Sequence, residues 1–254
     1  MATSMRKLAG CSTCISFASS RFSTSLPFRK ITPNKFKGKQ SSRDWVTRQL
    51  NDPYVRLANE ENYRCRSAFK LTEIDDNLRI IKPGGIVIDC GAAPGSWSQV
   101  AAQRIQLKSK NDGTQKEGMV IAVDLRDIEP IDGVTIFANS DFTKSETQSK
   151  LLRVLDNRLA NTVLSDMAPN ASGNREHDHQ VISELCLSVL KFSSQVLESG
   201  GHVVCKLWDG SEKKKLLSVM NRMFETVKTI KPDASRSDSA EIFLVGLYFK
   251  LRKK

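Results

Sequence analysis

The sequence predicts an α/β fold, a mostly parallel seven-stranded sheet with one antiparallel strand and helices on both faces. From about residue 86, short apolar runs alternate with stretches of helical periodicity, which is the pattern of a doubly wound sheet. The runs are apolar nearly throughout, as strands covered on both faces are. Near the C-terminus two strand-like runs follow each other with no helix between them, so they pair antiparallel.

Taken in order, residues 43–81 read as helices, and Lys82-Pro-Gly-Gly85 reads as the turn into a first strand, Ile86–Cys90. The next strands are Met119–Asp124, Val134–Ala138, Thr162–Asp166 and His202–Trp208. Helices are expected at Ser96–Leu107, Thr143–Leu155, about Gln180–Glu198 and about Ser211–Phe224. In the third of these, Ile182, Leu185, Val189, Val196 and Leu197 recur near helical spacing, and Gly200-Gly201 reads as its stop. Thr226–Lys231 and Glu241–Lys250 form the antiparallel pair around the polar loop PDASRSDS. Lys108–Gly118 reads as a polar insertion. No internal repeat is found.

The 254 residues suit one medium domain with an extension. The formal charge is +11, but nine Lys or Arg and no acid fall in residues 1–43, leaving +2 for residues 44–254. Binding to an anionic polymer must therefore be argued from local groups and not from the pI. The acid-free leader is rich in Ser, Thr and Arg, the composition of an organelle presequence, with mitochondrion ahead of plastid. A basic tail that binds RNA is the alternative. Residues 1–40 are read as presequence and linker, and residues 41–254 as the folded domain. The apolar stretch around Leu8–Ala18 is broken by Ser, Thr and Gly, which fits a secretory signal poorly, and no run has the length of a membrane span. Cys11 and Cys14 form a CxxC without a second ligand pair, and Cys90, Cys186 and Cys205 lie in apolar segments. Neither a metal site nor a disulfide framework is expected.

VIDCGAAPGSW, residues 87–97, runs from strand through small residues into helix. Such a loop lets a ligand approach the backbone at a helix N-terminus. It is neither the G-x-G-x-x-G dinucleotide fingerprint nor a P-loop, and it offers room for a carboxylate and an amine more than for a pyrophosphate. Asp124 in VIAVD stands where an acid meets ribose hydroxyls. Asp141 in NSDF stands where an adenine amino group is met, and Asp166 ends TVLSD. With Asp89 these make four acids after four successive strands, at the sheet edge where ligands bind. Lys206 is the anomaly: HVVCKLW is otherwise an apolar strand, and a buried ammonium needs a partner. Asp166, at the end of the neighbouring strand, is the expected one. Glu241 opens the antiparallel strand and so reaches the same rim. Lys70, in RSAFKLTEI, has no distinguishing feature of its own.

RSAFKL, DCGAAPGSW, SDMAPN, VVCKLW and AEIFLV, in this order, resemble the motifs of the FtsJ-type (RrmJ) RNA ribose 2′-O-methyltransferases across about residues 41–250. The resemblance implies a Rossmann-like, S-adenosylmethionine-dependent fold and a catalytic set of Lys70, Asp166, Lys206 and Glu241. It implies cofactor contacts from Gly95, Trp97, Asp124, Asp141 and Asp166, with Gly91, Ala93 and Pro94 completing the loop. Ser96 stands where many members carry a further glycine. The upstream segment SSRDWVTRQLNDPYVRLANEENYRCRSAFKL is most similar to the bacterial and mitochondrial branch, which modifies a uridine of the peptidyl-transferase A-loop. The partner implied is large-subunit rRNA or a pre-ribosomal particle, met by a monomer without metal. Arg64 and Arg66 flank the site lysine and, with Arg236, are the expected phosphate contacts. A tRNA methyltransferase and a catalytically silent RNA- or ribosome-binding protein of the same fold are the rival readings.

Overall fold

A computed structural model of the 254-residue chain describes residues 40–106, 118–169 and 172–250. Three helices, α1 (Gln40–Leu50), α2 (Pro53–Glu60) and α3 (Ala68–Leu78), precede the sheet. Asp52 caps α2 by accepting from the Tyr54 amide at 3.0 Å, and Pro53 occupies the first turn, where its missing N–H costs nothing. The sheet strands are β1 (Ile86–Cys90), β2 (Met119–Val123), β3 (Val134–Phe137), β4 (Ala160–Ser165), β5 (Leu197–Trp208), β6 (Phe224–Ile230) and β7 (Glu241–Phe249). Helices α4 (Ser96–Gln106), α5 (Ser145–Leu155), α6 (Arg175–Val196) and α7 (Glu212–Met223) connect them.

The strand order is β3-β2-β1-β4-β5-β7-β6, with β7 antiparallel to both of its neighbours and every other pair parallel. Each of the two faces has its own core, because successive strand residues point to opposite sides. On one face Ile88, Ile121 and Val203 pack with Leu151, Ile182, Val189 and Met220 from α5, α6 and α7. On the other, Val87, Leu164, Val204 and Phe243 pack with Leu71 and Ile74 of α3 and with Trp97 and Val100 of α4. The strand order changes direction between β1 and β4, so the carboxyl ends of those strands open into a crevice.

Two expectations are corrected. Gly200-Gly201 does not stop a helix: α6 ends at Val196, and both glycines lie inside β5. Leu197 is already extended, and its amide caps the helix through Ser193 O, so the chain passes directly from helix to strand. The glycines serve an irregular edge instead. The β4–β5 register shifts between Ala160 and Thr162, and a Cβ on Gly201 would lie 3.0 Å from Asn161 O and from Glu198 O. Helix α6 also begins at Arg175, earlier than expected, because Asn174 accepts from the Glu176 and His177 amides. The leader, Cys11, Cys14 and positions 108–117 of the polar insertion lie outside the described residues.

Candidate active site

Asp166 is the first residue past β4, and Lys206 sits two residues before the end of β5. Lys206 Nζ lies 2.8 Å from Asp166 Oδ1 and 2.5 Å from the Asp166 carbonyl oxygen. The antiparallel register pairs Trp208 with Glu241, which brings Glu241 Oε2 to 3.9 Å from Lys206 Nζ. Lys70, in the first turn of α3, places Nζ 2.6 Å from Glu241 Oε1 and 5.8 Å from the centre of the Phe243 ring. The Ser235 hydroxyl donates to Glu241 Oε1 at 2.9 Å. The four charges alternate along one line, Asp166, Lys206, Glu241 and Lys70, and all four side chains are at least four-fifths buried. A buried charge left alone is strongly destabilising, so each member holds its neighbour in place. All four predicted rim groups therefore come together, although Lys70 had no mark of its own in the sequence.

Beside this row lies a cavity of about 630 Å³. Gly91, Ala92, Ala93, Pro94, Trp97, Asp124, Asp141, Asp166 and Lys206 all border it. The loop from β1 to α4 is tied down from within. The Gly91 and Ala92 amides donate to Val123 O at 2.8 and 3.1 Å, and the Ala93 amide donates to Asp124 Oδ2 at 2.8 Å. These N–H groups are engaged by the protein, so any anion at this loop must be met further along, at the first turn of α4. Asp124 Oδ1 also accepts from the Arg126 amide at 2.8 Å, while Arg126 Nη2 donates to Ala93 O at 2.7 Å. Asp141 Oδ1 takes both donors of Thr143, and the hydroxyl bond leads in holding its carboxyl below the usual range. Gly91 and Gly95 are required by close approach at positive φ: a Cβ would meet Met167 Cγ at 2.1 Å and Arg64 Nη1 at 2.7 Å respectively. Trp97 is a core residue that edges the cavity, stacks near Phe243 and donates Nε1–H to Ser67 O at 2.8 Å.

Of the four acids read after successive strands, Asp89 is the exception. It lies inside β1, fully buried, under the loop and not on the rim. Its Oδ2 accepts from the Ser98 hydroxyl at 2.6 Å, and Oδ1 has no partner among the described residues. Burial, ahead of the nearby charges of Asp166 and Asp124, pushes its carboxyl up to about 7. The arginines expected to meet phosphate also have internal partners. Arg64 bridges the carbonyls of Pro94 and Pro130, both at 2.8 Å. Arg66 pairs with Asp52 and Ala234 O, and Arg236 stands 3.6 Å from Asp52. They lock α2 and the loops around the site, and a five-donor guanidinium keeps N–H groups for a further acceptor. Sequence reasoning missed Ser67, whose hydroxyl donates to Asp166 Oδ2 at 2.5 Å, and Ser235. Only their places beside Lys70 and before the last strand could have drawn attention to them.

A β7-reversed, seven-stranded parallel sheet with acids at the ends of β2 and β3 and a Lys–Asp–Lys–Glu row beside the β1 loop defines a Rossmann-like methyltransferase. Residues 63–249 match the FtsJ-like methyltransferase family, and the chain belongs to it. It is 48% identical over 224 residues to the Drosophila melanogaster protein named rRNA methyltransferase 2, mitochondrial, covering 88% of this chain and 89% of that one. It is 41% identical over 219 residues to ribosomal RNA large subunit methyltransferase E of Parvibaculum lavamentivorans, covering 86% and 85%. Among solved structures it resembles a ribosomal RNA methyltransferase from Plasmodium falciparum, with a TM-score of 0.63 and 32% identity over 74% of this chain and 98% of that one.

Proposed function

We propose that the protein transfers a methyl group from S-adenosylmethionine to the 2′ oxygen of a ribose, in a uridine of the peptidyl-transferase loop of mitochondrial large-subunit rRNA. One observation carries the reading: the alternating row Asp166–Lys206–Glu241–Lys70 ends at the cavity edge, with Lys206 and Asp166 bordering the cavity. The cavity suits the cofactor by its donor set. Asp124 and Asp141 offer carboxylates for ribose hydroxyls and an adenine amine, and small residues at 91–94 leave the floor open, whereas Gly95, an expected cofactor contact, turns toward Arg64 and Ile131 and does not border the cavity. When bound, the sulfonium supplies an activated methyl group that needs no metal.

The protein must then align a poorly acidic hydroxyl and remove its proton. Lys206 would take the 2′ proton, and the methyl group supplied by the cofactor would take its place on the ribose oxygen. Asp166, which already holds Lys206 through both a side-chain and a main-chain oxygen, keeps it aimed at the cavity. Glu241 spaces the two lysines, and Lys70 supplies positive charge to the developing alkoxide. Arg64, Arg66 and Arg236, through the N–H groups left over from their internal partners, are assigned to the RNA backbone. The composition of residues 1–43 and the mitochondrial relative support the organelle. The names of both relatives support rRNA over tRNA as substrate.

The test is transfer of labelled methyl from S-adenosylmethionine to a transcript of the large-subunit rRNA domain that contains this loop. Wild-type protein is expected to label one ribose. Lys206→Ala is expected to bind the cofactor, and Lys206→Ala and Asp166→Ala are each expected to lose about a hundredfold or more in turnover, the scale of a lost general base. Lys206→Arg also fails, because a guanidinium does not give up its proton. Near-normal turnover by any of the three contradicts the assignment.

A further inference from the structure

Ser67 opens α3 at the position where a serine ordinarily caps the helix by accepting a backbone N–H. Here it makes no such bond, and its backbone is itself helical, φ −62° and ψ −21°. Its hydroxyl is given instead to a residue 99 positions away, Asp166 Oδ2, at 2.5 Å. The serine is fixed from behind as well, since Trp97 Nε1–H donates to its carbonyl at 2.8 Å. Asp166 is thus held at both oxygens, Oδ2 by Ser67 and Oδ1 by Lys206 at 2.8 Å. A carboxylate bonded at one oxygen only is free to turn about its terminal torsion, which is broad and roughly two-fold. One bonded at both has a single orientation. Ser67 also borders the cavity and lies three residues before Lys70, so the same turn of chain that delivers one site lysine steadies the partner of the other.

We infer that Ser67 is a positioning residue for methyl transfer: its hydroxyl sets the orientation of Asp166 and, through it, the place of the Lys206 amine. The inference rests on the function proposed above, and wild-type turnover on the rRNA transcript tests that reading separately.

The experiment compares wild-type, Ser67→Ala and Ser67→Thr proteins for kcat and KM on the transcript, for S-adenosylmethionine binding by calorimetry and for thermal unfolding. Because the hydroxyl does not cap α3, its removal leaves the helix bonded as before. For Ser67→Ala, kcat is expected to fall about tenfold to a hundredfold, the size of a hydrogen bond to a charged group. KM for the transcript stays near its wild-type value, Tm falls by about 10 °C at most, the cost of one bond to a carboxylate, and Ser67→Thr, which keeps the hydroxyl, recovers most of the rate. A kcat for Ser67→Ala within about twofold of an active wild type overturns the inference. So does a fall in kcat that threonine does not repair, or a loss confined to Tm, since either marks Ser67 as a structural link between α3 and β4. An inactive wild type on rRNA counts against the proposed function instead.

Discussion

At the scale of single residues, Lys206 was legible because burial of a charge is expensive wherever it occurs. A lysine in HVVCKLW demanded a partner, and Asp166 at 2.8 Å is that partner. Asp89 was legible as an acid but not in depth. The strand expected at Ile86–Cys90 already contains it, yet the sequence groups it with the acids at strand ends, and the register with Ala122 and Leu164 puts the carboxyl inside the sheet. The consequence can be measured. Its carboxyl is pushed up to about 7, from 3.8 in the unfolded reference, so below about pH 4 both states hold the proton and no penalty exists. As pH rises toward 7 the unfolded chain ionises first, and the folded state loses stability relative to it. Asp89→Asn, which keeps an acceptor for Ser98, is therefore expected to gain on wild type as pH rises from about 4 to about 7, by up to several kcal/mol. Denaturant titrations of both proteins across that range check this, and a gap that stays constant with pH contradicts it.

At the scale of elements, the alternation of apolar runs and helical periodicity located all seven strands among the described residues, because strands covered on both faces have no polar side to blur them. The error at Gly200-Gly201 has a physical source. Glycine is favoured after a helix and also where two backbones crowd, and sequence does not separate these uses. The β1–α4 loop makes the opposite case, since its glycines mark close approach at positive φ and no helix end. Gly91 has φ +77°, and a Cβ there would stand 2.1 Å from Met167 Cγ and 3.3 Å from Met167 Cα. Met167 follows Asp166, so Gly91→Ala moves the β4 end as well as the loop. We expect it to lower stability by about 1–3 kcal/mol, the cost of overpacking, and to weaken S-adenosylmethionine binding. Melting curves and calorimetry would show both, and an unchanged affinity would mean that the loop and the β4 end move independently.

At the scale of the molecule, no one element contains the charged row. Lys70 comes from a helix before the sheet, Asp166 and Lys206 from neighbouring parallel strands, and Glu241 from the reversed strand β7. Reversal is what turns the start of β7 toward the carboxyl ends of β4 and β5. That topology followed from the missing helix between the last two strands, whereas the role expected of Lys70 came only with the resemblance of RSAFKL. The charge pattern separates in the same way, +2 across residues 44–254 against nine basic residues in the first 43. On the function proposed above, Lys206, held by Asp166, drives ribose methylation of mitochondrial large-subunit rRNA. Mapping 2′-O-methyl groups in that rRNA, in cells lacking the protein and in cells given it back, tests the claim most directly. One methyl in the peptidyl-transferase loop is predicted to vanish, to return with wild-type protein and to stay absent with an equal amount of Lys206→Ala. Return of that methyl with Lys206→Ala, or its persistence without the protein, would contradict the account.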